Sequence, residues 1–404
     1  MRRIDTETRA LLAISLAFFF GFAGSGSIQS YLSPYLKGVL GVSPLRSALV
    51  LTLVYITMAA GRVFSPVAIG RIGVGRLLFL GAVSFALFPL VFGFWTAYPL
   101  FLVAAVLWGA GSSFFWTGGM AELLNHSRPD RYAANQGIMR LTQQVGQVGG
   151  FFLLGQLLAL QSAAGVRAGF QVLFRTAALI SLMMPFTLLL LPRAASDYHP
   201  ISPFDILRAA VSRRRWVVSL ALFASGVSYG ILLNLLNLFV SERFGVAWMN
   251  KTLVFFFIAA GLFSYLGGAF SDRFGRREGF LLAFASGAFG TALLALVPTR
   301  PAAGLTALLL GVVFGVVPTV ATGLVGDRTR PGERVAGLAG VFLWRDLGAM
   351  VSIFSGGLLL QGAVSYRAIM WVFSAIFVLL CLLFGRADLT AGGRISKLEE
   401  PARV

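Results

Sequence analysis

The sequence predicts an all-α membrane protein, with twelve transmembrane helices in two pseudo-symmetric six-helix bundles. Three observations predict it. The first is composition: 57% of the residues are hydrophobic, 37 of 404 are Phe and only 12% are charged, with a mean hydropathy of +0.84. So few charges cannot cover a water-soluble surface, so the solvent is a bilayer. The second is the recurrence of apolar runs of about 20 residues, the length that crosses the hydrocarbon as a helix. The third is that the chain is written twice. Shifted by about 202 residues, Arg71-Ile72-Gly73 falls on Arg273-Phe274-Gly275, and Thr117-Gly118-Gly119-Met120-Ala121-Glu122 meets Thr322-Gly323-Leu324-Val325-Gly326-Asp327. Likewise Arg128-Pro129-Asp130-Arg131 meets Arg330-Pro331-Gly332-Glu333-Arg334. Two same-handed halves in a membrane make a seam that can open to either side. The duplication therefore points to transport before any single residue does.

In chain order the helices are predicted near 10–32, 44–69, 75–94, 98–123, 132–160 and 169–192, then 216–240, 249–271, 278–298, 302–326, 335–360 and 366–386. The segment Met1 to Arg9 is short and mixed in charge. The run after it is too long for a signal-peptide core and has no convincing cleavage site, so it is read as the first span. Residues 1–192 form the first bundle, 193–215 a linker, 216–386 the second bundle and 387–404 a tail. The linker carries Pro200, Pro203 and Arg213-Arg214-Arg215. Its portion from Phe204 to Trp216 is either an amphipathic helix on the membrane surface or an unstructured tether.

The net charge of +18 is a matter of topology. Alternate loops and both termini collect 22 Lys and Arg residues, against about eight on the opposite set, including Lys37, Arg46, Arg243 and Lys251. This positive-inside bias places both termini and the linker in the cytoplasm of an inner or plasma membrane, and it is no nucleic-acid footprint. Cys381 is the one cysteine, so neither a disulfide framework nor a cysteine metal site is expected. His126 and His199 fall in predicted loops without ligand spacing and are read as solvated. No GxxxxGK[ST] loop and no Ser-His-Asp or Cys-His arrangement is found, which argues against ATP-driven pumping and against an enzyme. No cofactor and no metal are expected, and a monomer is.

Gly268-Ala269-Phe270-Ser271-Asp272-Arg273-Phe274-Gly275-Arg276-Arg277, between helices eight and nine, resembles the cytoplasmic loop signature of the major facilitator superfamily. Pro66 to Arg76, between helices two and three, is a degraded copy that keeps Arg71 and Gly73 but has Gly70 in place of the acid. The six-plus-six layout extends the resemblance over the chain. It implies a secondary transporter that rocks two bundles around a central site, and it implies no substrate. Physically, an acid in a tight glycine-bounded turn can dock on a neighbouring helix start, whose amino end carries roughly half a positive charge. Arg273, Arg276 and Arg277 remain for acids at adjacent helix ends or for anionic lipid heads.

Polar residues at mid-span are the candidate site. Asp346 is the one acid near the middle of a span, and Arg345 beside it is equally deep; buried charges at that depth face a cavity or a partner. On helix five Arg140, Gln143, Gln144 and Gln147 fall at i, i+3, i+4 and i+7, one polar stripe on an apolar helix. With Gly146 laid over Gly348, Gln143 and Gln144 become the repeat-equivalents of Arg345 and Asp346. Helices one and seven bring Ser25 and Gln29, and Asn234 and Asn237, to mid-span, and by the family's layout Trp116 and Thr319 join them. Three roles are open to Arg62: neutralising an acid, contacting substrate, or snorkelling. The resulting expectation is alternating-access transport of a small organic solute. Proton coupling through Asp346 competes with uptake or exchange of an anion bound by Arg140 and Arg345. A non-transporting receptor or assembly factor on the same scaffold is the alternative of another class.

Overall fold

The structure, a computed structural model, describes residues 5–127, 132–161, 165–192, 202–212, 216–328 and 334–386, the side chains of 124–125, 132–134, 136–137, 272, 326–328 and 334–338 excepted. Twelve long helices follow one another: α1 (Thr6–Val39), α2 (Pro44–Ile72), α3 (Val74–Phe94), α4 (Tyr98–His126), α5 (Tyr132–Gln161), α6 (Val166–Leu188), α7 (Trp216–Phe244), α8 (Val246–Phe274), α9 (Arg276–Leu296), α10 (Arg300–Arg328), α11 (Arg334–Gln361) and α12 (Tyr366–Arg386). All but α5 are by length and composition alone able to cross a membrane. The polar stripe on α5 lowers its apolar content, yet its 30 residues span about 45 Å at 1.5 Å per residue.

The helices begin and end where local chemistry dictates. Asp5 caps α1 by accepting from the Thr8 amide at 2.7 Å, and Pro44 opens α2 behind Ser43. Single-residue turns join α2 to α3 and α8 to α9, at Gly73 with φ +83° and at Gly275 with φ +114°. Both sit in the left-handed region, where a side chain is strained, and both occupy the same place in the two repeats.

The duplication is equally visible in packing. A methyl group on Gly109 of α4 would strike the carbonyl of Val54 on α2, and one on Gly311 of α10 would strike that of Phe256 on α8. Gly146 of α5 lies against the Phe19 backbone and Gly348 of α11 against the Phe223 backbone in the same way. In lipid, where hydrophobic driving force between helices is weak, such glycines allow the backbone approach that holds a bundle together. Large apolar side chains such as Phe152, Leu179, Phe289 and Leu382 stand exposed on the outside, as a bilayer-facing belt requires.

Call the end bearing Gly73, Gly275 and their arginines the basic end. At the opposite end the two halves are tied together. Lys37 pairs with Glu242 at 2.7 Å, the Tyr31 hydroxyl donates to Asn250 at 2.7 Å, and the Phe151 and Phe257 rings meet at 5.1 Å. Between α1 and α7, Ser33 donates to Asn234 at 2.9 Å and Asn237 donates to the Ser30 carbonyl at 3.2 Å. Near these contacts α1 and α7 are wound as wide π-turns, at Phe22–Gly26, Pro34–Val39 and Ile231–Leu236. This conformation is sealed away from the basic end.

Between the halves of the chain a short helix, Pro203–Ala210, is capped by Ser202. Its Ile206 and Ala210 are buried with Ala59 and Val63 of α2 and Leu343 of α11, while Phe204 is exposed. Of the two alternatives for this stretch, a helix on the membrane surface or a tether, the structure has a helix, but a shorter one whose apolar side turns into the seam between α2 and α11. Ala210 also accepts a hydrogen bond from the Trp344 indole at 2.8 Å.

Candidate functional site

Three arginines and one aspartate meet between the halves. Arg62 of α2 hydrogen-bonds through Nε to Asp346 Oδ2 on α11, and its Nη2 lies 3.5 Å from Oδ1. Of the three roles open to Arg62, the structure therefore shows the first. Asp346 is buried and Arg62 only partly so. Each lies roughly 15 Å inward along its helix, at 1.5 Å per residue. Burial at that depth is tolerable because each charge supplies the other's hydrogen-bonding partner.

Arg140 and Arg345 are held differently, each over an aromatic face. The Arg140 guanidinium stands 5.9 Å from the centre of the Trp116 ring, and Arg345 lies 4.4 Å over Phe314. Trp116 is itself packed edge-on against Phe18 at 4.8 Å and Phe22 at 5.7 Å. A guanidinium resting on a π-face keeps its N–H edge free, and that edge matches a carboxylate or phosphate bidentately. Arg140 is within electrostatic reach of Arg345 and Arg62, and Arg345 of Asp346. Although ringed by these groups, Arg140 keeps accessible surface. Gly226 of α7 lies flat against the Arg345 carbonyl, where any side chain would collide, and this sets the level of α11 at the site.

A polar and aromatic ceiling separates the arginines from the sealed end. The Tyr55 hydroxyl donates to Gln29 Oε1 at 2.8 Å, and Gln29 and Gln147 both reach the Gly26 carbonyl at 3.4 Å. Tyr55 meets Tyr229 edge-on at 6.3 Å across the seam, and Tyr229 stacks on Phe314 at 4.7 Å, the ring that carries Arg345. One continuous set of contacts thus runs from α1 through α2 and α7 to α10 and α11.

The structure brings Arg140, Arg345, Asp346, Trp116, Gln29 and Gln147 into this neighbourhood, and it gives several other candidates partners of a different kind. Asn234 and Asn237 are fully buried and serve the α1–α7 contact described above, with Asn234 also donating to the Ile353 carbonyl at 3.2 Å. Ser25 bonds to Ser181 and the Phe85 carbonyl inside the first bundle. Gln143 is buried, and Gln144 is half-buried with its Oε1 unpartnered among the described residues. Thr319 bonds to the Gly315 carbonyl of its own helix at 3.1 Å. His126 departs from expectation: α4 runs on to reach it, its side chain is buried, and Nδ1 stands 2.9 Å from the Glu122 carbonyl and 3.3 Å from its carboxylate.

At the basic end, Arg276 donates to Ser271 at 3.0 Å and lies over Gly323 of α10. Arg277 donates to the Gly385 carbonyl at the end of α12, Arg273 lies 5.3 Å over Phe274, and Gly268 faces Thr319. Arg71 is exposed beside Gly73. The side chain of Asp272, the acid of the loop signature, lies outside the described part of the structure, as do linker residues 193–201 and 213–215 and the tail 387–404.

Tyr55, Tyr229 and Phe314 escape a reading of the sequence. In a chain with 13% aromatic residues they carry no mark that distinguishes them from packing. Arg62 alone had a signal, a charge inside an apolar span. Among the described residues no group of three or more His, Cys, Asp or Glu side chains is placed to hold a metal ion.

The sequence matches the Major Facilitator Superfamily over residues 14–257 and 218–402. The chain belongs to that superfamily, and its class is that of multi-pass membrane transporters of small solutes. Solved structures share the fold at low identity. A D-xylose-proton symporter is 15% identical with a TM-score of 0.75, covering 96% of this chain and 99% of that one. The nucleoside transporter NupG is 14% identical with a TM-score of 0.72, covering 93% and 98%. A bacterial homologue of the human lysosomal transporter Spinster, inward-facing and occupied, is 15% identical with a TM-score of 0.73, covering 95% and 98%. No curated protein matches the chain in sequence.

Proposed function

We propose that the chain is a secondary transporter that moves a small organic anion by alternating access, with Arg140 and Arg345 as the anion-binding pair. The observation that carries this reading is that the two guanidinium groups, one from each half, stand on aromatic rings and neither is fully buried; the space they border is read as a cavity that water reaches from the basic end. Among the described residues neither has a carboxylate within ion-pair distance. Asp346, the acid that would otherwise invite a proton-coupled reading, is committed to Arg62. Its charge holds α2 to α11 instead of facing the solute. With the basic loops placed in the cytoplasm by the positive-inside bias, the conformation described is open inward. Transport then requires the Lys37–Glu242 and α1–α7 contacts to part while the basic end closes.

Binding by the purified protein tests this. Across a panel of organic anions and neutral solutes, anions should raise the thermal midpoint. Arg140→Lys and Arg345→Lys should each weaken the effective anion by roughly tenfold or more, because an ammonium cannot reproduce a bidentate fork. If both lysine variants keep wild-type affinity for it, the anion pair is the wrong reading.

A further inference from the structure

We infer that the transported solute carries two negative charges, one for each of Arg140 and Arg345. This rests on the anion reading above and specifies it. The fixed charges around the cavity do not balance. Arg62 and Asp346 are joined by two contacts across the seam and cancel. That leaves two guanidinium charges with no carboxylate in ion-pair distance among the described residues.

Aromatic backing does not remove those charges. Trp116 and Phe314 offer quadrupole attraction to one face of each guanidinium, which is weaker than a counter-ion and leaves the donor edge unsatisfied. While the cavity stays open to water, solvent screens the excess. When the basic end closes during the cycle, water is expelled and the local dielectric falls, so two unpaired like charges within electrostatic reach of each other become strongly unfavourable. A monoanion leaves one of them uncompensated, whereas a dianion brings the occluded site to neutrality. The solute chemistry that fits is therefore a dicarboxylate or a doubly ionised oxyanion ester, small enough for its charged groups to meet guanidiniums from the two halves.

The test compares probes matched in shape and differing by one charge, at constant ionic strength. The pairs are succinate with succinamate, and sulfate with methyl sulfate. The readout is the concentration giving half-maximal thermal stabilisation of the purified full-length protein. At least one dianion should act at a concentration tenfold or more below that of its monoanion partner. In Arg140→Gln, which leaves one uncompensated charge, that gap should fall below threefold, and Arg345→Gln should give the same result if the first variant folds poorly. Equal potency of dianions and monoanions in the wild-type protein would overturn the charge inference and leave the anion reading standing. Stabilisation by neutral solutes alone would overturn both, and no response to any dianion would overturn the inference.

Discussion

Replacing Asp346 with asparagine removes the carboxylate that Arg62 reaches across the seam, and the consequence for stability follows from the burial of the two side chains. Breaking a fully buried ion pair by deleting one partner costs about 3–5 kcal/mol, because the other charge is left uncompensated. Asp346 keeps 5% of its side-chain surface accessible and Arg62 keeps 16%, so Arg62 retains partial access to water when its partner goes. The expected loss is accordingly about 2 kcal/mol, below the fully buried value. At roughly 2 °C per kcal/mol for a large domain, the apparent thermal midpoint should fall by about 4 °C. Arg62→Gln should cost at least as much, since it strands the more deeply buried carboxylate. The double variant Arg62→Gln/Asp346→Asn, which places two neutral amides side by side, should recover most of the loss, which corresponds to a coupling free energy of about 3 kcal/mol. Thermal unfolding of the four proteins in one detergent closes the cycle. If the single effects simply add, to within about 0.5 kcal/mol, the two residues do not act as a pair and the described bond is not a stabilising contact.

Other consequences are open to direct measurement. Gly348→Ala puts a methyl group into the Phe223 carbonyl and should destabilise by about 1–3 kcal/mol, whereas Gly149→Ala, which meets nothing within 4 Å, should leave the thermal midpoint unchanged. Tyr55→Phe leaves the buried Gln29 carbonyl oxygen without its 2.8 Å donor and should cost about 1–2 kcal/mol; an unchanged midpoint would mean that the ceiling carries no load. Lys37 and Glu242 are 28% and 41% exposed, so their pair is worth at most about 1 kcal/mol, and Lys37→Ala should speed opening of the sealed end by no more than about fivefold. A cysteine at Ser30, whose buried hydroxyl has no hydrogen-bond partner among the described residues, reports this in a Cys381→Ser background through labelling by an impermeant maleimide. Labelling that does not change would remove the pair from the seal.

What the sequence shows of this molecule, and what it hides, divides along a physical line. The helices are legible because a bilayer admits only long apolar runs with every backbone group internally bonded, and the repeat is legible because the same close approaches recur, at Gly109 and Gly311 and at Gly73 and Gly275. Arg140, Arg345 and Asp346 stand out because a charge in such a run demands a reason. Their partners do not stand out. Arg62 and Asp346 lie 284 positions apart, and nothing in either helix alone says that they meet. Phe314 and Tyr229 are single aromatics among many, and only their seats beneath Arg345 and across from Tyr55 distinguish them. Asn234 and Asn237 carry the same polarity as Gln29 in the sequence, yet they tie α1 to α7 while Gln29 bonds to Tyr55. The difference is one of helix rotation and local π-winding, which residue type does not encode. His126 was misplaced for a simpler reason: the helix continues past the point where its apolar run ends.

Counterflow in proteoliposomes tests most directly the claim that this cavity binds a small anion and presents it alternately to the two sides. Vesicles loaded with a stabilising anion and diluted into a trace of the same labelled anion should show transient accumulation of label with the wild-type protein. Arg140→Gln and Arg345→Gln, reconstituted at matched amounts and folded by their unfolding profiles, should show none. Accumulation that persists undiminished in both variants, or a folded wild-type protein that exchanges neutral solutes and no anion, would contradict the account.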